Sequence, residues 1–244
     1  MRTFDDLVVD GLAGEVGGWG FGWLDGRATE ERPPWGYARR LAGRLRQATA
    51  ALDIDTGGGE VIGEMPVLPP RMVVTEGWPP NAERARRLPG VEVVETVPGE
   101  RLPLRDGEFD LVSSRHPVKP DFAEIARVLK PGGVYFAQHV GPGSAFALIE
   151  WFLGPVPAHA RDPEREAAEA RTAGLDVVRL ETARCRMEFF DLGAVVWILR
   201  KCVWWVPDFS VERYRPELVK LDAYIRAHGV FTAHSTRTLI EARA

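Results

Sequence analysis

Two cysteines, Cys185 and Cys202, are too few for a disulfide framework or a zinc cluster. They are expected to be buried thiols in a reducing compartment. Long apolar runs are also lacking. LGAVVWIL, residues 192–199, falls far short of the roughly 20 residues that a membrane-spanning helix needs. The opening MRTFDDLVVDGLAGEV carries acids where a signal peptide would have a basic region, so a cytoplasmic location is expected. Neither sign of charge dominates: 31 basic and 35 acidic side chains leave a net −4, which argues against a broad nucleic-acid footprint. There are no internal repeats and no low-complexity segments. No Lys-Ser/Thr follows Gly59, which excludes a phosphate loop of the Gly-Lys-Ser/Thr type.

The 244 residues, 45% apolar and 27% charged, suit one globular α/β domain with additions. Apolar runs at AALDID (50–55), RMVVTE (71–76), VEVVE (91–95), FDLVSS (109–114) and GVYFAQHV (133–140) predict strands. Helices are predicted near 57–64, 80–88, 120–130 and 144–153. Another is predicted after Pro33–Pro34, where Tyr37, Leu41 and Leu45 share one face. Strands alternating with helices imply a parallel sheet covered on both faces. DVVRLETARCRMEFF (176–190) reads as a long strand and FTAHSTRTLIEAR (231–243) as the last. Two helices within 191–228 interrupt them. Of eight tryptophans, Trp19, Trp23, Trp35, Trp197, Trp204 and Trp205 lie outside the central part of the chain.

In an open α/β sheet, ligands bind at the carboxyl ends of the strands. The first long strand delivers Asp53, Asp55 and the turn Thr56-Gly57-Gly58-Gly59 there. The next ends at Glu76, about 20 residues on, where an acid can take a ribose diol in two hydrogen bonds. Trp78 follows, a flat side chain able to cover a base. The turn is not a Gly-x-Gly-x-x-Gly fingerprint, so a ligand with an adenosine but no diphosphate is favoured. His116, in SSRHP, and His139, in AQHVGPGS, lie at strand ends. Because side chains alternate, only one of Gln138 and His139 can face the site.

ALDIDTGGGE resembles the first motif of the class I S-adenosylmethionine-dependent methyltransferases, of the methyltransferase type 11 kind. VVTEG is similar to their second-strand acid, LPLRDGEFDLVSS to their approach to strand four, and IARVLKPGGVYF to their helix, Lys-Pro-Gly-Gly turn and fifth strand. The likeness covers roughly residues 48–145. It implies a Rossmann-like, seven-stranded, mostly parallel sheet whose last strand is antiparallel, with helical lid insertions at the N-terminus and towards the C-terminus. One domain is expected, with residues 1–47 as lid and first helix, 48–186 as cofactor-binding core, 187–228 as inserted cap and 229–244 as last strand. The implied cofactor is S-adenosylmethionine. Asp53, Asp55, Thr56, Gly57 and Gly59 would meet it on the first turn, Glu76, Gly77 and Trp78 after the second strand, and Ser114 and Arg115 after the fourth. Two departures stand out. Asp55 occupies a position where the family usually has glycine, and either contacts the cofactor ammonium or caps a helix beginning near Gly57. The acid that meets the adenine has no clear match; Glu95 and Glu100 are the candidates.

The expected reaction is methyl transfer to a small organic acceptor, mostly by alignment, with His116 the first and His139 the second candidate base. Asp110 is expected to orient a neighbouring loop. Two other readings remain. One is an RNA base methyltransferase, with Arg39, Arg40, Arg44 and Arg46 gathering phosphate. The other is a nucleoside-binding protein that methylates nothing. No metal and no membrane partner are expected, and oligomeric state is not readable.

Overall fold

Apolar runs of five to seven residues can be buried on both faces only in the middle of a covered sheet. The computed structural model describes residues 2–97, 99–156 and 161–244. The first elements are α1 (Phe4–Ala13), β1 (Ala28–Glu30), α2 (Tyr37–Leu45) and β2 (Ala50–Ile54). There follow α3 (Glu60–Gly63), β3 (Arg71–Glu76), α4 (Pro79–Ala85), β4 (Val91–Glu95) and β5 (Phe109–Arg115). Next come α5 (Phe122–Val128), β6 (Leu129–Val140), α6 (Phe146–Leu153), α7 (Pro163–Thr172) and β7 (Asp176–Phe189). The chain ends with α8 (Leu192–Lys201), α9 (Arg215–His228) and β8 (Phe231–Arg243).

The chain divides into two compact units. One comprises residues 33–142, 161–183 and 237–244; the other comprises residues up to 32, 143–160 and 184–236. The sheet order is β1-β7-β8-β6-β5-β2-β3-β4. In the first unit, the pairs β2–β3, β2–β5, β3–β4 and β5–β6 are parallel, and β8 runs antiparallel to β6. Seven strands were expected, and the eighth is β1. It is too short to show alternation in the sequence, and it pairs antiparallel with the end of β7 inside the second unit.

Alternation along the strands sorts their side chains between two layers. Ala51, Met72, Val74, Leu111, Phe136 and Leu239 meet Trp35, Tyr37, Leu41 and Leu45 of the α2 region. Leu52, Val73, Val112, Tyr135 and Ile240 meet Phe122, Ile125 and Ala170 of α5 and α7. Thus α2, which the sequence grouped with an N-terminal lid, packs on the sheet of the first unit. β2 sits between β3 and β5, so the direction of strand addition reverses there. In open α/β sheets ligands bind at the carboxyl ends of the strands beside such a reversal.

The amino ends of the same strands are tied by Asp110. Its carboxylate accepts the backbone N–H groups of Thr49 and Ala50, the Thr49 hydroxyl and the Lys130 ammonium. Asp110 therefore does orient a neighbouring segment. Burial pushes this carboxyl up, but the Lys130, Thr49 and Ala50 donors outweigh it and hold it well below the usual carboxylate range.

The second unit has its own core around α8, nine of whose ten residues are buried. Apolar residues all round such a helix mean that it is enclosed. Trp197 stacks on Trp23 at 5.5 Å and donates its indole N–H to the Glu15 carbonyl. α1 was not evident among the glycines of 1–34, yet Thr3 and Asp6 form a capping box at its start. Its Gly11 approaches α8 so closely that a Cβ there would stand 2.7 Å from the Gly193 carbonyl oxygen. Cys185 and Cys202 are buried. Among the described residues, no helix is long and apolar enough to cross a membrane.

The depressed acidity of Asp110 gives a signed expectation. A carboxylate stabilised in the fold contributes above its unfolded pKa, and that contribution is lost as pH falls below about 4. Asp110→Asn should melt below wild type at pH 7, and the gap should narrow in melts run below about pH 4. A gap independent of pH would mean the carboxylate charge plays no part.

Candidate functional site

Residues 55–59 turn sharply because three of them take left-handed backbone. Asp55 has φ 55°, Gly57 68° and Gly59 80°. Aspartate adopts that region more readily than most residues with a Cβ, so a turn with Asp55 in the usual glycine position still forms. Gly59 is required for packing as well, since a Cβ there would lie 2.4 Å from Leu88 Cδ1. Thr75 holds the turn from β3: its hydroxyl accepts the Asp55 N–H at 3.2 Å and its carbonyl accepts the Thr56 N–H at 3.0 Å. The helix that follows begins at Glu60 with Gly59 as its N-cap and has no side-chain cap. Asp55 therefore caps nothing, and of the two roles open to it in the sequence the cap is excluded. Partial burial and the Glu76 carboxylate raise its pKa, so the two acids feel each other across the turn.

Asp53, one register position below, is buried at 4% exposure. It lies opposite Ser113 of β5, whose hydroxyl donates to its Oδ1 at 2.5 Å. Burial raises its pKa to about 6, and the Ser113 and Thr56 hydroxyls only partly offset this. Oδ1 of Asn81 in α4 is buried without a partner among the described residues. A buried polar atom without a partner is costly unless a ligand or water meets it. Glu76 ends β3, and its Oε1 accepts the Trp78 N–H at 2.8 Å. Gly77 and Trp78 are exposed beside it. Glu95 is paired with Arg86.

After β5 the arrangement is denser. Ser114 is buried; its hydroxyl donates to the Ile54 carbonyl and its own carbonyl accepts the Tyr37 hydroxyl. Arg115 is exposed. His116 takes a left-handed conformation, φ 62°, and its N–H donates to the Gln138 carbonyl at 2.7 Å. Its Nε2 lies 3.0 Å from Gln138 Nε2, and Gln138 Oε1 accepts the Trp35 indole N–H at 2.8 Å. Burial, then the charges of Arg237 and Arg115, hold the imidazole well below its ordinary pKa.

His139 projects from the other face of β6. It is fully buried, with Nδ1 2.6 Å from Glu166 of α7 and Nε2 3.0 Å from the Tyr135 hydroxyl. Glu166 can only accept, so Nδ1 carries the proton and Nε2 accepts from Tyr135. Neither nitrogen is left to serve as a base. Of the two candidates, His116 lies with Gln138, on the face of β6 opposite His139. The contacts of Ser113, Thr75 and Trp35 were not evident in the sequence, because they depend on which strand lies beside which; Gln138 was singled out there, but not its pairing with Trp35.

Residues 52–137 match the methyltransferase domain family. No curated protein sequence matches the chain. Among solved structures, a functionally unknown protein from Deinococcus radiodurans R1 superposes with TM-score 0.64 at 15% identity, covering 88% of this chain and 90% of that one. A provisionally assigned methyltransferase from Bacillus halodurans C-125 gives 0.59 at 18% identity, with 83% and 97% covered. The YcgJ protein of Bacillus subtilis gives 0.57 at 16%, with 85% and 97% covered. The chain thus has the Rossmann-like fold of these solved structures, and its residues 52–137 match a methyltransferase domain. The donor set suits a cationic ligand such as S-adenosylmethionine: the turn carries no side chain at Gly57 and Gly59, and the Asp53, Asp55 and Glu76 carboxylates lie around it.

The turn geometry has a direct test in thermal melts of the unliganded protein. Asp55→Asn, which tolerates the left-handed backbone, should melt within a degree or two of wild type. Asp55→Ala should lose about 1 kcal/mol or more for placing an ordinary Cβ at positive φ. Equal melting of the two variants would show that the backbone conformation is not the constraint.

Proposed function

We propose that this chain is an S-adenosylmethionine-dependent methyltransferase acting on a small organic acceptor. The observation that carries the proposal is the convergence, at one edge of the sheet, of the left-handed turn 55–59, the buried Asp53 carboxyl and Glu76. When bound, the cofactor supplies a methyl group activated on a sulfonium.

The chain's own residues supply binding and alignment. Asp53 and Asp55 set a negative potential at the turn that suits a ligand ammonium. Glu76 takes the ribose hydroxyls, and the Thr56 hydroxyl completes the cradle. Gly77 and Trp78 flank the adenosine, and Ser114 and Arg115 line the approach from β5. An RNA acceptor is less well supported by α2. Arg40 donates to the Trp35 carbonyl, and Arg44 pairs with Glu241 at 2.7 Å and covers the Phe136 ring. Those side chains brace the helix on the sheet and do not form an open phosphate-binding row.

Calorimetry with S-adenosylmethionine tests the cofactor site. Glu76→Ala removes two charge-assisted hydrogen bonds, each worth roughly 1.5–3 kcal/mol, so affinity should fall about tenfold or more with the fold intact. Wild-type protein that binds none at millimolar concentration would overturn the proposal. Transfer of labelled methyl into small-molecule extracts is the expected activity. Salt-dependent labelling of RNA would favour the RNA acceptor, and binding without any turnover would favour a non-catalytic nucleoside-binding protein.

Asp53 adds a pH dependence. Its carboxyl is protonated in the unliganded fold below about pH 6. A cationic ligand group selects the carboxylate, so affinity should rise from pH 5 to 7 and level off above. Asp53→Asn should bind more weakly and lose this slope. A flat profile in wild type would remove Asp53 from contact with the ligand charge.

A further inference from the structure

The donor and acceptor inventory around His116 leaves little freedom. The indole nitrogen of Trp35 can only donate, so the group facing it must be the oxygen of the Gln138 amide. The NH2 end of that amide then faces His116 Nε2, 3.0 Å away. Nε2 must therefore be unprotonated, and in the neutral ring the proton sits on Nδ1. Among the described residues Nδ1 has no hydrogen-bond partner. Protonating Nε2 would set an N–H against the amide N–H2.

Flipping the amide to relieve this would set N–H2 against the indole N–H. Trp35 is 3% exposed and Gln138 4%, so water cannot readily substitute. The charges around the ring act in the same sense. Arg115 on β5 and Arg237 on β8 stand opposite Gln138 and Val140 of β6, on one face of the sheet. Arg161 donates to the Pro117 and Val118 carbonyls just beyond His116. These three arginines all disfavour a second proton on His116. The acid in this neighbourhood, Glu166, is engaged by His139 and lies 3.7 Å from Arg161.

We infer that His116 is a fixed hydrogen-bond donor rather than a base, its proton held on Nδ1 by the Trp35–Gln138 pair, and that it takes ligands presenting a carboxylate or carbonyl oxygen. Trp35 and Gln138 are positioning residues: they act on a ligand only through the ring they orient. Arginines beside a neutral donor favour an anionic oxygen over an amine or a protonated hydroxyl. A nucleophile that must lose a proton finds no acceptor on this ring. The ligand class rests on the methyl-transfer reading of the site; the tautomer does not.

The test is made on the full chain labelled with 15N at histidine, with the His116 signals identified by their loss in His116→Asn. Between pH 5.5 and 8.5 the wild-type ring should show a protonated Nδ1 and an unprotonated Nε2, with no titration. Gln138→Glu puts an acceptor opposite Nε2, so the proton should move there and the ring should titrate at least one pH unit higher than in wild type. Trp35→Phe frees the amide to rotate, and both tautomers should appear. A wild-type ring protonated on Nε2, or titrating near 6.5, would overturn the inference. If Gln138→Glu does not fold, Trp35→Phe decides: a single unchanged tautomer there would overturn the role of the pair.

Acetate is the probe for the ligand class, with chloride at equal ionic strength as control. Acetate should shift the Nδ1 signal of wild type and leave that of Gln138→Glu in place. No shift in a protein that still binds S-adenosylmethionine would overturn the oxygen-ligand assignment alone. A protein that shows the wild-type tautomer but binds no S-adenosylmethionine would instead overturn the methyl-transfer reading.

Discussion

A carboxyl group taken out of water organises the ligand edge of the sheet. Asp53 ends β2 where the strand order reverses, and burial alone would make its ionised form costly. The Ser113 and Thr56 hydroxyls offset this only in part, and the pKa stays raised. In the turn beside it Asp55 and Glu76 repel each other. In the function proposed above, a ligand that brings a cation and hydroxyl groups meets these costs.

The opposite end of the same strands shows what a fully satisfied carboxylate looks like. Asp110 takes donors from Thr49, Ala50 and Lys130 and is held well below the usual carboxylate range. Two aspartates at the ends of neighbouring strands therefore have pKa values driven in opposite directions. The difference lies in donors, not in burial alone. One pins the sheet, and the other stays raised.

The two histidines divide in the same way. His139 spends both ring nitrogens on Glu166 and Tyr135 inside the layer between the sheet and α7. His116 spends one on Gln138 and keeps the other. In the reading proposed here, methyl transfer depends on alignment by a cradle and a fixed donor, with no proton accepted by an imidazole.

Much of this was legible in the residues. The five strands from 50 to 140, the last two long strands and the helices that interrupt them follow from apolar runs whose length and alternation suit only a covered sheet. The left-handed turn at Asp55 follows from its neighbours Gly57 and Gly59. Other elements were hidden: α7 is largely charged and small, β1 is three residues long, and α1 announces itself only through Thr3 and Asp6. The sequence alone determined the long strands, the turn after Ile54 and the acids beside it, because propensity and periodicity act over a few neighbouring residues. Tertiary structure alone decided what those acids and histidines do. The partners Asp53–Ser113, Trp35–Gln138 and His139–Glu166 lie 60, 103 and 27 positions apart, and strand order and register bring them within hydrogen-bonding distance. A proton's place on a ring is set by what faces it, and nothing local in the chain specifies that.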